Sequence, residues 1–211
     1  MRILLLTALL AVANGIATAQ TEKANDHRLE IVPLGVGSSW TYALAAPVNR
    51  NEMREAQLEV TVSEAVDIAG ERYFRFEGLG SARPLLFANG DSGLYVWRDD
   101  LALRQLILRY PTRAGDTYVI ADKRERDRII VDVVGTDVAI EVGGESHMAH
   151  QYRMTNSDGA KTVEILVVPG IGIVRFSALA TESSRTKETT ANLVRHTIGE
   201  FSKSDPSSSV R

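Results

Sequence analysis

The sequence predicts an all-β single domain of about ten to twelve antiparallel strands that form one strongly curved sheet. Three observations carry this prediction. Apolar residues recur at every second position, turn-forming residues interrupt the pattern at short intervals, and no stretch shows the period of an amphipathic helix. Short strands separated by turns are typical of half-barrels, barrels and sandwiches. A half-barrel or barrel is favoured here, with a sandwich as the alternative.

The chain begins like an exported protein. Arg2 is followed by an apolar run over residues 3–12, and residues 17–19 (Ala-Thr-Ala) supply a cleavage site of the small-x-small type. This order is typical of a secretory signal peptide. The apolar run is too short to span a bilayer. We therefore expect residues 1–19 to be removed, which leaves a soluble protein in the periplasm or outside the cell.

The remaining chain divides by composition into three parts. Residues 20–29 are polar and are expected to form a flexible lead-in, and residues 30–201 carry the strand pattern of the β domain. Residues 202–211 lack an apolar pattern, which predicts a disordered tail. No second long apolar stretch occurs, so no transmembrane segment is expected after cleavage.

Composition excludes several classes of function. The sequence contains no cysteine, which rules out a lipidated cysteine, a cysteine nucleophile and a zinc site with cysteine ligands. The formal net charge is −3, and it becomes −4 when Arg2 leaves with the signal peptide. Such a small charge keeps a protein in solution but gives no support for binding nucleic acid or an anionic membrane.

The first half of the domain shows a hairpin and two further turns. Apolar and polar residues alternate over 57–62, and Asp67-Ile68-Ala69-Gly70 supplies a turn before an aromatic return strand. The segment 101–108 fits neither the strand nor the helix period cleanly, and a strand is favoured. The elements predicted in this half are strands at 57–62, 73–76, 94–97 and 101–108, with turns at 67–70 and 89–91.

The second half contains the clearest pattern of the chain. Apolar residues occupy odd positions from Ile129 to Val133, and after Gly135 they move to even positions from Val138 to Val142. One extra residue reverses the faces of a strand, so a β-bulge or sharp bend is predicted at Gly135. Turns are predicted at Gly143-Gly144 and Asp158-Gly159, and strands at 151–155, 162–168, 170–176 and 189–198.

The sequence offers two short motifs of hydrolytic or metal chemistry, and neither is favoured. Gly90-Asp91-Ser92-Gly93 matches the nucleophile tetrapeptide of chymotrypsin-like proteases, but only His27 precedes it. A serine without a positioned base is a poor nucleophile, so a turn is favoured. His147 and His150 lie three apart, a spacing that puts strand side chains on opposite faces.

Charged side chains also have a simpler interpretation. The run 123–128 mixes both signs and is favoured as a solvated hairpin end or strand edge over a binding patch. Asp99-Asp100 is favoured as surface over half of a carboxylate pair. We therefore predict no catalytic residues, no metal ligands and no cofactor, and a protein that is not an enzyme.

Aromatic residues on strands, with neighbouring leucines, give the candidates for ligand contact. Such residues usually pack in the core, but they also line cavities for apolar ligands. If the sheet closes only partly, its concave face is a place for such a ligand. The candidate ligand-binding residues are Tyr95, Trp97, Leu103 and Leu106.

Three stretches together resemble a known family. They are PLGVGSSWTY at 33–42, PTRAGDTY at 111–118 and VPGIGIVRF at 168–176. Their order and spread over about 31–200 resemble exported bacterial β-proteins of the TapB-like family, a domain of unknown function. Val167 stands where that pattern has an aromatic residue. The resemblance implies a β fold without established catalytic residues, and its motif residues here are Gly37, Trp40, Tyr42, Gly115, Asp116, Pro169, Gly170, Gly172 and Val174.

Two features of these motifs have a physical explanation of their own. Gly37 and Trp40 are expected to start the first core strand. Gly170 and Gly172 lie two apart, so on a strand they would share a face and leave room for a large side chain. We predict that Trp40 packs over this glycine pair.

Three functions remain open from sequence alone. The leading hypothesis is an exported, non-enzymatic binding protein for an apolar small molecule held by the curved sheet. The alternative is a structural or interaction module that docks onto a cell-envelope assembly through an exposed edge or face. The third is a hydrolase whose carboxylates meet only in the fold.

Overall fold

The computed structural model describes residues 30–49, 52–78, 84–99, 101–120, 128–159, 161–182 and 185–199. The predicted signal peptide (1–19), lead-in (20–29) and tail (202–211) lie outside these ranges, as do residues 123–127 of the charged run. Within the described ranges, no helix is long and apolar enough to cross a membrane.

Within the described residues, twelve antiparallel strands form a single sheet, and this confirms the all-β prediction. Sheet order is β6-β5-β4-β3-β2-β1-β12-β11-β10-β9-β8-β7. Strands consecutive in sequence therefore pair with each other, except for β6 and β7, which form the two edges, and β1 also pairs with β12. The two edge strands, β6 and β7, approach each other, so the sheet is a nearly closed barrel and not a sandwich. The strands are β1 (Ser39–Asn49), β2 (Glu52–Ile68), β3 (Glu71–Glu77), β4 (Leu85–Gly90), β5 (Gly93–Arg98), β6 (Leu103–Arg109), β7 (Thr117–Ile120), β8 (Ile129–Val142), β9 (Glu145–Asn156), β10 (Lys161–Val168), β11 (Gly172–Glu182) and β12 (Arg185–Thr197).

Consecutive residues at positive φ form two of the tight turns. Ala69 and Gly70 have φ of 51° and 82° between β2 and β3, and Gly143 and Gly144 have φ of 62° and 88° between β8 and β9. Two consecutive positive φ angles match the twist of a two-residue hairpin. Both turns lie where the sequence predicts them.

The bulge predicted at Gly135 is present. The pairing of β8 with β9 shifts register on both sides of Gly135. Val131 and Val133 on one side of it are 0% and 1% exposed. The irregularity bends the long β8–β9 hairpin, as a curved sheet requires.

Several predicted boundaries differ from the structure, among them those of β6, β9 and β11. Gly170 lies in the turn between β10 and β11, and Gly172 begins β11. β9 starts at Glu145, six residues before the predicted strand, because its polar start carries little apolar alternation. Leu101 belongs to a turn, and β6 begins at Leu103.

The barrel interior is filled by side chains. Its main cluster draws on almost every strand and on the segment that precedes β1. The buried members include Trp40, Tyr42, Val60, Val62, Phe76, Leu94, Leu108, Tyr118, Val131, Val133, Tyr152, Ile165, Val167 and Ala191.

Residues 30–38, here called the plug segment, close one end of the barrel. Ile31, Val32 and Leu34 are 2%, 4% and 1% exposed. Backbone hydrogen bonds fix the segment at both ends: Gly170 N–H donates to the Glu30 carbonyl at 2.8 Å, and Gly37 N–H donates to the Val62 carbonyl at 2.9 Å. The plug segment thus covers the end at which β3 begins and β4 ends.

Tyrosine side chains join the two sheet edges. The Tyr118 hydroxyl accepts from Arg109 N–H at 3.0 Å and donates to the Ile107 carbonyl at 2.9 Å. The Tyr152 hydroxyl donates to the Arg109 carbonyl at 2.8 Å. These bonds use backbone groups on the outer edge of β6, where no strand is paired within the described sheet. The side chains thereby replace part of the missing ladder.

Candidate functional site

A pocket of about 330 Å³ lies at the plugged rim of the barrel. We call it the rim pocket. The plug segment, β3, β4 and β6 each contribute to its lining, which mixes charged, amide and apolar side chains. Its residues are Glu30, Leu34, Glu71, Arg72, Phe74, Ala88, Asn89 and Arg104.

One wall of the rim pocket is a linked set of charged and aromatic groups. Arg104 forms an ion pair with Glu71, and the Tyr73 hydroxyl donates to the same carboxylate at 3.0 Å. The hydrogen bond from Arg104 is the main cause that lowers the pKa of Glu71. The Arg104 guanidinium also lies over the Tyr95 ring, 3.8 Å from its centroid. This wall therefore has its charges satisfied internally.

The second charged pair at the rim pocket is more exposed. Arg72 Nε lies 3.1 Å from a carboxylate oxygen of Asp67. The two side chains project from the β2–β3 hairpin, which the Ala69-Gly70 turn closes. The charge of Arg72 is thus balanced within the hairpin.

Glu30 and Asn89 form the opposite wall. Leu34 N–H donates to Glu30 over a long 3.4 Å, and the nearby Asn89 side chain acts to lower the pKa of the Glu30 carboxyl. Burial is the largest influence on Glu30 and raises the pKa of its carboxyl. Asn89 Nδ2 donates to the Val32 carbonyl at 2.8 Å. Asn89 Oδ1 is buried and has no hydrogen-bond partner among the residues that the structure describes.

The candidate ligand residues from sequence fall on both faces of the sheet. Leu94 and Val96 of β5 are buried, so the alternating Tyr95 and Trp97 project away from the core. Their cross-strand partners are Leu106 and Arg104 respectively, which places Leu106 with them. Leu103 pairs with Arg98, lies on the other face and is 42% exposed.

Tyr95 and Trp97 support the charged wall of the rim pocket without lining the pocket. Tyr95 lies under Arg104. Trp97 meets Tyr73 edge-on with ring centroids 5.7 Å apart, and Tyr73 in turn donates to Glu71. They therefore hold the charged wall in place, and neither is among the lining residues of the rim pocket.

Sequence reasoning missed the polar lining itself. Glu30, Glu71 and Arg104 stand far apart in the chain, and the Arg104–Glu71 pair joins residues separated by 33 positions. No spacing rule links them. A weak signal existed at Asn89, which the sequence places in a turn at 89–91; in the structure Asn89 belongs to β4, and the turn is at Asp91 and Ser92.

Trp40 and Tyr42, two residues of the motifs that resemble the TapB-like family, bond to backbone carbonyls near the start of β11. The Trp40 indole donates to the Ile171 carbonyl at 2.7 Å, and a Cβ built on Gly172 would lie 3.3 Å from its Nε1. The Tyr42 hydroxyl donates to the Ile173 carbonyl at 2.8 Å. Trp40 thus packs beside Gly172, across the turn that contains Pro169 and Gly170.

The other motif residues hold turns and fill a second cluster. Asp116 accepts from Arg113 N–H at 2.9 Å and from the Thr112 hydroxyl at 3.1 Å, and Gly115 beside it has φ of 90°. Gly37 has φ of 86° in the plug segment. Val174 is 2% exposed in a small cluster at the β10–β11 turn.

Among the described residues, the other candidates for catalysis or metal binding lie apart from one another. His147 and His150 occur three apart on β9 and so point to opposite faces. Asp91 and Ser92 form the turn between β4 and β5. Residue 100 lies outside the described ranges, so the Asp99-Asp100 pair is not described. Among the described residues, no group of three His, Asp or Glu side chains is arranged to hold a metal ion.

Comparison with known proteins gives distant structural likenesses only. No family model matches the chain, and no curated protein matches it. A protein from Bacteroides fragilis, inferred to be exported and with a YmcC-like fold, is 13% identical with a TM-score of 0.45, over 79% of this chain and 98% of that one.

Two further solved structures are similar at this level. One, inferred to be a lipoprotein from Parabacteroides distasonis, is 9% identical with a TM-score of 0.46, over 80% of this chain and 99% of that one. The other, inferred to be a domain of an outer membrane lipoprotein-sorting protein from Vibrio parahaemolyticus, is 9% identical with a TM-score of 0.25, over 85% and 89%. All three TM-scores lie below 0.5, so the function is argued from the residues of this chain.

Proposed function

We propose that this protein is an exported, non-enzymatic binding protein and that the rim pocket is its ligand site. One observation carries the proposal: the pocket brings a half-buried carboxylate and a buried, unpartnered amide oxygen beside apolar side chains. Concave sites with an apolar lining and a few convergent polar groups are typical of small-molecule binding. The signal-peptide pattern of residues 1–19 supports export.

Because the barrel interior is filled, the proposed ligand site lies at the rim. Trp40 and Tyr152 are 2% and 0% exposed, and the plug segment adds Leu34 at its end of the core. The apolar part of a ligand therefore finds its surface against Leu34 and Phe74 at the pocket, while its polar end meets Glu30 and Asn89. A small amphipathic molecule fits this lining better than a wholly apolar one.

Ligand retention tests this proposal. Native mass spectrometry of the protein purified from its own envelope fraction should show a bound small molecule. In Ala88→Leu the added carbons enter the face that Ala88 shares with Tyr95, under the Arg104–Glu71 wall of the pocket, so the ligand should be lost. Ala43→Leu adds the same carbons at an exposed position of β1 and should retain it.

Circular dichroism and thermal unfolding would show whether both variants fold. The proposal fails if the wild-type protein carries no ligand, or if Ala88→Leu retains it as well as Ala43→Leu does.

The docking-module hypothesis has one observation of its own. Val119 and Ile130 pair directly across β7 and β8 and are 54% and 39% exposed. An exposed apolar pair beside a four-residue edge strand is a surface on which an envelope partner would pack. Serine at both positions, but not Ala88→Leu, would then abolish association with envelope extract.

A further inference from the structure

We infer that the rim pocket selects a ligand with a primary ammonium group, which donates hydrogen bonds to the Glu30 carboxylate and to Asn89 Oδ1. The apolar part of the ligand lies against Leu34 and Phe74. This inference rests on the proposed function and assigns a chemical class to its ligand.

The balance of charge favours a cation. Arg104 is paired with Glu71, and Arg72 is paired with Asp67. No cation among the described residues pairs with Glu30, whose neighbours are the Leu34 N–H and the Asn89 side chain. Glu30 is therefore the lining charge without a counter-ion in the described part of the chain. Because it is half-buried, a charged partner would interact with it more strongly than at a fully exposed site.

The atoms at the pocket that can still form hydrogen bonds are acceptors, so the ligand must supply the donor. Asn89 Nδ2 is held by the Val32 carbonyl at 2.8 Å, and this bond fixes which side of the amide carries the oxygen. Its Oδ1 is buried and lacks a partner among the described residues. An unsatisfied buried acceptor costs stability that a ligand N–H would restore. The Glu30 carboxylate offers further acceptor positions beside it.

These two facts together rank the possible ligands. A primary ammonium group supplies both a positive charge and three N–H donors. A quaternary ammonium group supplies the charge without a donor, and an alcohol supplies a donor without the charge. A carboxylate supplies neither, and Glu30 repels it. The expected affinity therefore falls from the primary ammonium to the quaternary ammonium and then to the alcohol, and it is lowest for the carboxylate.

Calorimetric titration at pH 7 with four probes that share a six-carbon chain tests the ranking. The probes are hexylammonium, hexyltrimethylammonium, 1-hexanol and hexanoate. Hexylammonium should bind to the full mature protein about tenfold more tightly than hexyltrimethylammonium, since charged hydrogen bonds are lost in the latter. Hexanoate should not bind.

Glu30→Gln isolates the carboxylate with little change of shape. It should weaken hexylammonium binding about tenfold or more, because the charge is lost. Glu164→Gln is the matched control. Glu164 is a carboxylate of β10 that pairs with Arg153 at 2.8 Å and does not line the pocket. It should leave binding unchanged.

Vesicles distinguish the two sources of such a group. Phosphatidylethanolamine presents a primary ammonium headgroup, and phosphatidylcholine presents a trimethylated one. Co-sedimentation with the former alone, sensitive to Glu30→Gln, supports a lipid headgroup as the natural ligand. Hexylammonium binding without co-sedimentation supports a free amine.

Failure of this inference can be told from failure of the proposed function. If hexanoate or hexanol binds in a way that Ala88→Leu abolishes and Glu30→Gln does not, the pocket is a ligand site and the ammonium assignment is wrong. If no probe shows binding that Ala88→Leu abolishes and no ligand is retained in mass spectrometry, both are wrong. Equal binding of hexylammonium to the wild type and Glu30→Gln also overturns the inference.

Discussion

Replacing Tyr118 by phenylalanine removes one oxygen atom from the junction between the two sheet edges. That oxygen accepts from Arg109 N–H and donates to the Ile107 carbonyl. The ring itself is 8% exposed within the core, and phenylalanine preserves its packing. The substitution therefore tests the hydrogen bonds that close the barrel with little change of packed volume.

The expected loss of stability follows from the number of bonds. A protein hydrogen bond contributes about 1 kcal/mol net, and a backbone group left without a partner in a buried site costs up to about 3 kcal/mol. Two backbone groups lose their partner, so the free energy of unfolding should fall by about 2 kcal/mol. For a domain of this size that corresponds to a fall of about 4–8 °C in melting temperature.

Urea unfolding followed by tryptophan fluorescence measures this loss, since Trp40 is buried. Tyr152→Phe is the matched control. Its hydroxyl donates one recorded bond at the same junction, to the Arg109 carbonyl, so it should cost about half as much. Hydrogen exchange adds a local measurement, because the Arg109 amide should lose protection in Tyr118→Phe and keep it in Tyr152→Phe.

A Tyr118→Phe protein within about 0.5 kcal/mol of the wild type would refute this reasoning, because changes of that size are ordinary for surface substitutions. Unchanged protection of the Arg109 amide would do the same. Either result would mean that the hydrogen bonds of the Tyr118 hydroxyl contribute little to holding β6 against β7.

Two further predictions concern a glycine and a carboxyl group. Gly93→Ala should lower the free energy of unfolding by at least about 2 kcal/mol, because the new Cβ would lie 1.9 Å from the Leu108 carbonyl oxygen at a φ of 132°. Gly115→Ala, at a φ of 90° but in open space, should cost less than Gly93→Ala in the same denaturation experiment. Burial raises the pKa of Glu30 above 4.5, so the folded state binds its proton more readily than the unfolded chain, and this carboxyl adds stability as pH falls. Unfolding free energies at pH 4–7 should therefore show wild type gaining on Glu30→Gln as pH falls, and parallel profiles would contradict this.

Much of the barrel was predictable because its causes are local. Alternation around Val60 and Val62 fixes which face enters the core, and the turn residues 67–70 locate a hairpin in which Ala69 and Gly70 both have positive φ. The change of parity at Gly135 even located a bulge. Each of these signals lies within a few residues of the structure that it determines.

Barrel closure and the rim pocket depend on contacts between distant parts of the chain. Tyr95 and Trp97 are apolar enough to suggest a ligand surface, yet the direction in which they point depends on strand pairing across the sheet. The polar lining brings Glu30 together with Asn89, 59 positions later. No local pattern records such a meeting, because side chains so far apart meet only when the sheet curls.

The sequence by itself determined the strand class, the main turns and the bulge, because backbone sterics and side-chain alternation act between neighbours. Only the tertiary structure decided that the sheet closes as a barrel, that residues 30–38 plug one end, and that Glu30 remains without a counter-ion among the described residues. The physical reason is that burial, ion pairing and hydrogen-bond satisfaction depend on every group nearby in space. These neighbours are set by the packing of the whole chain.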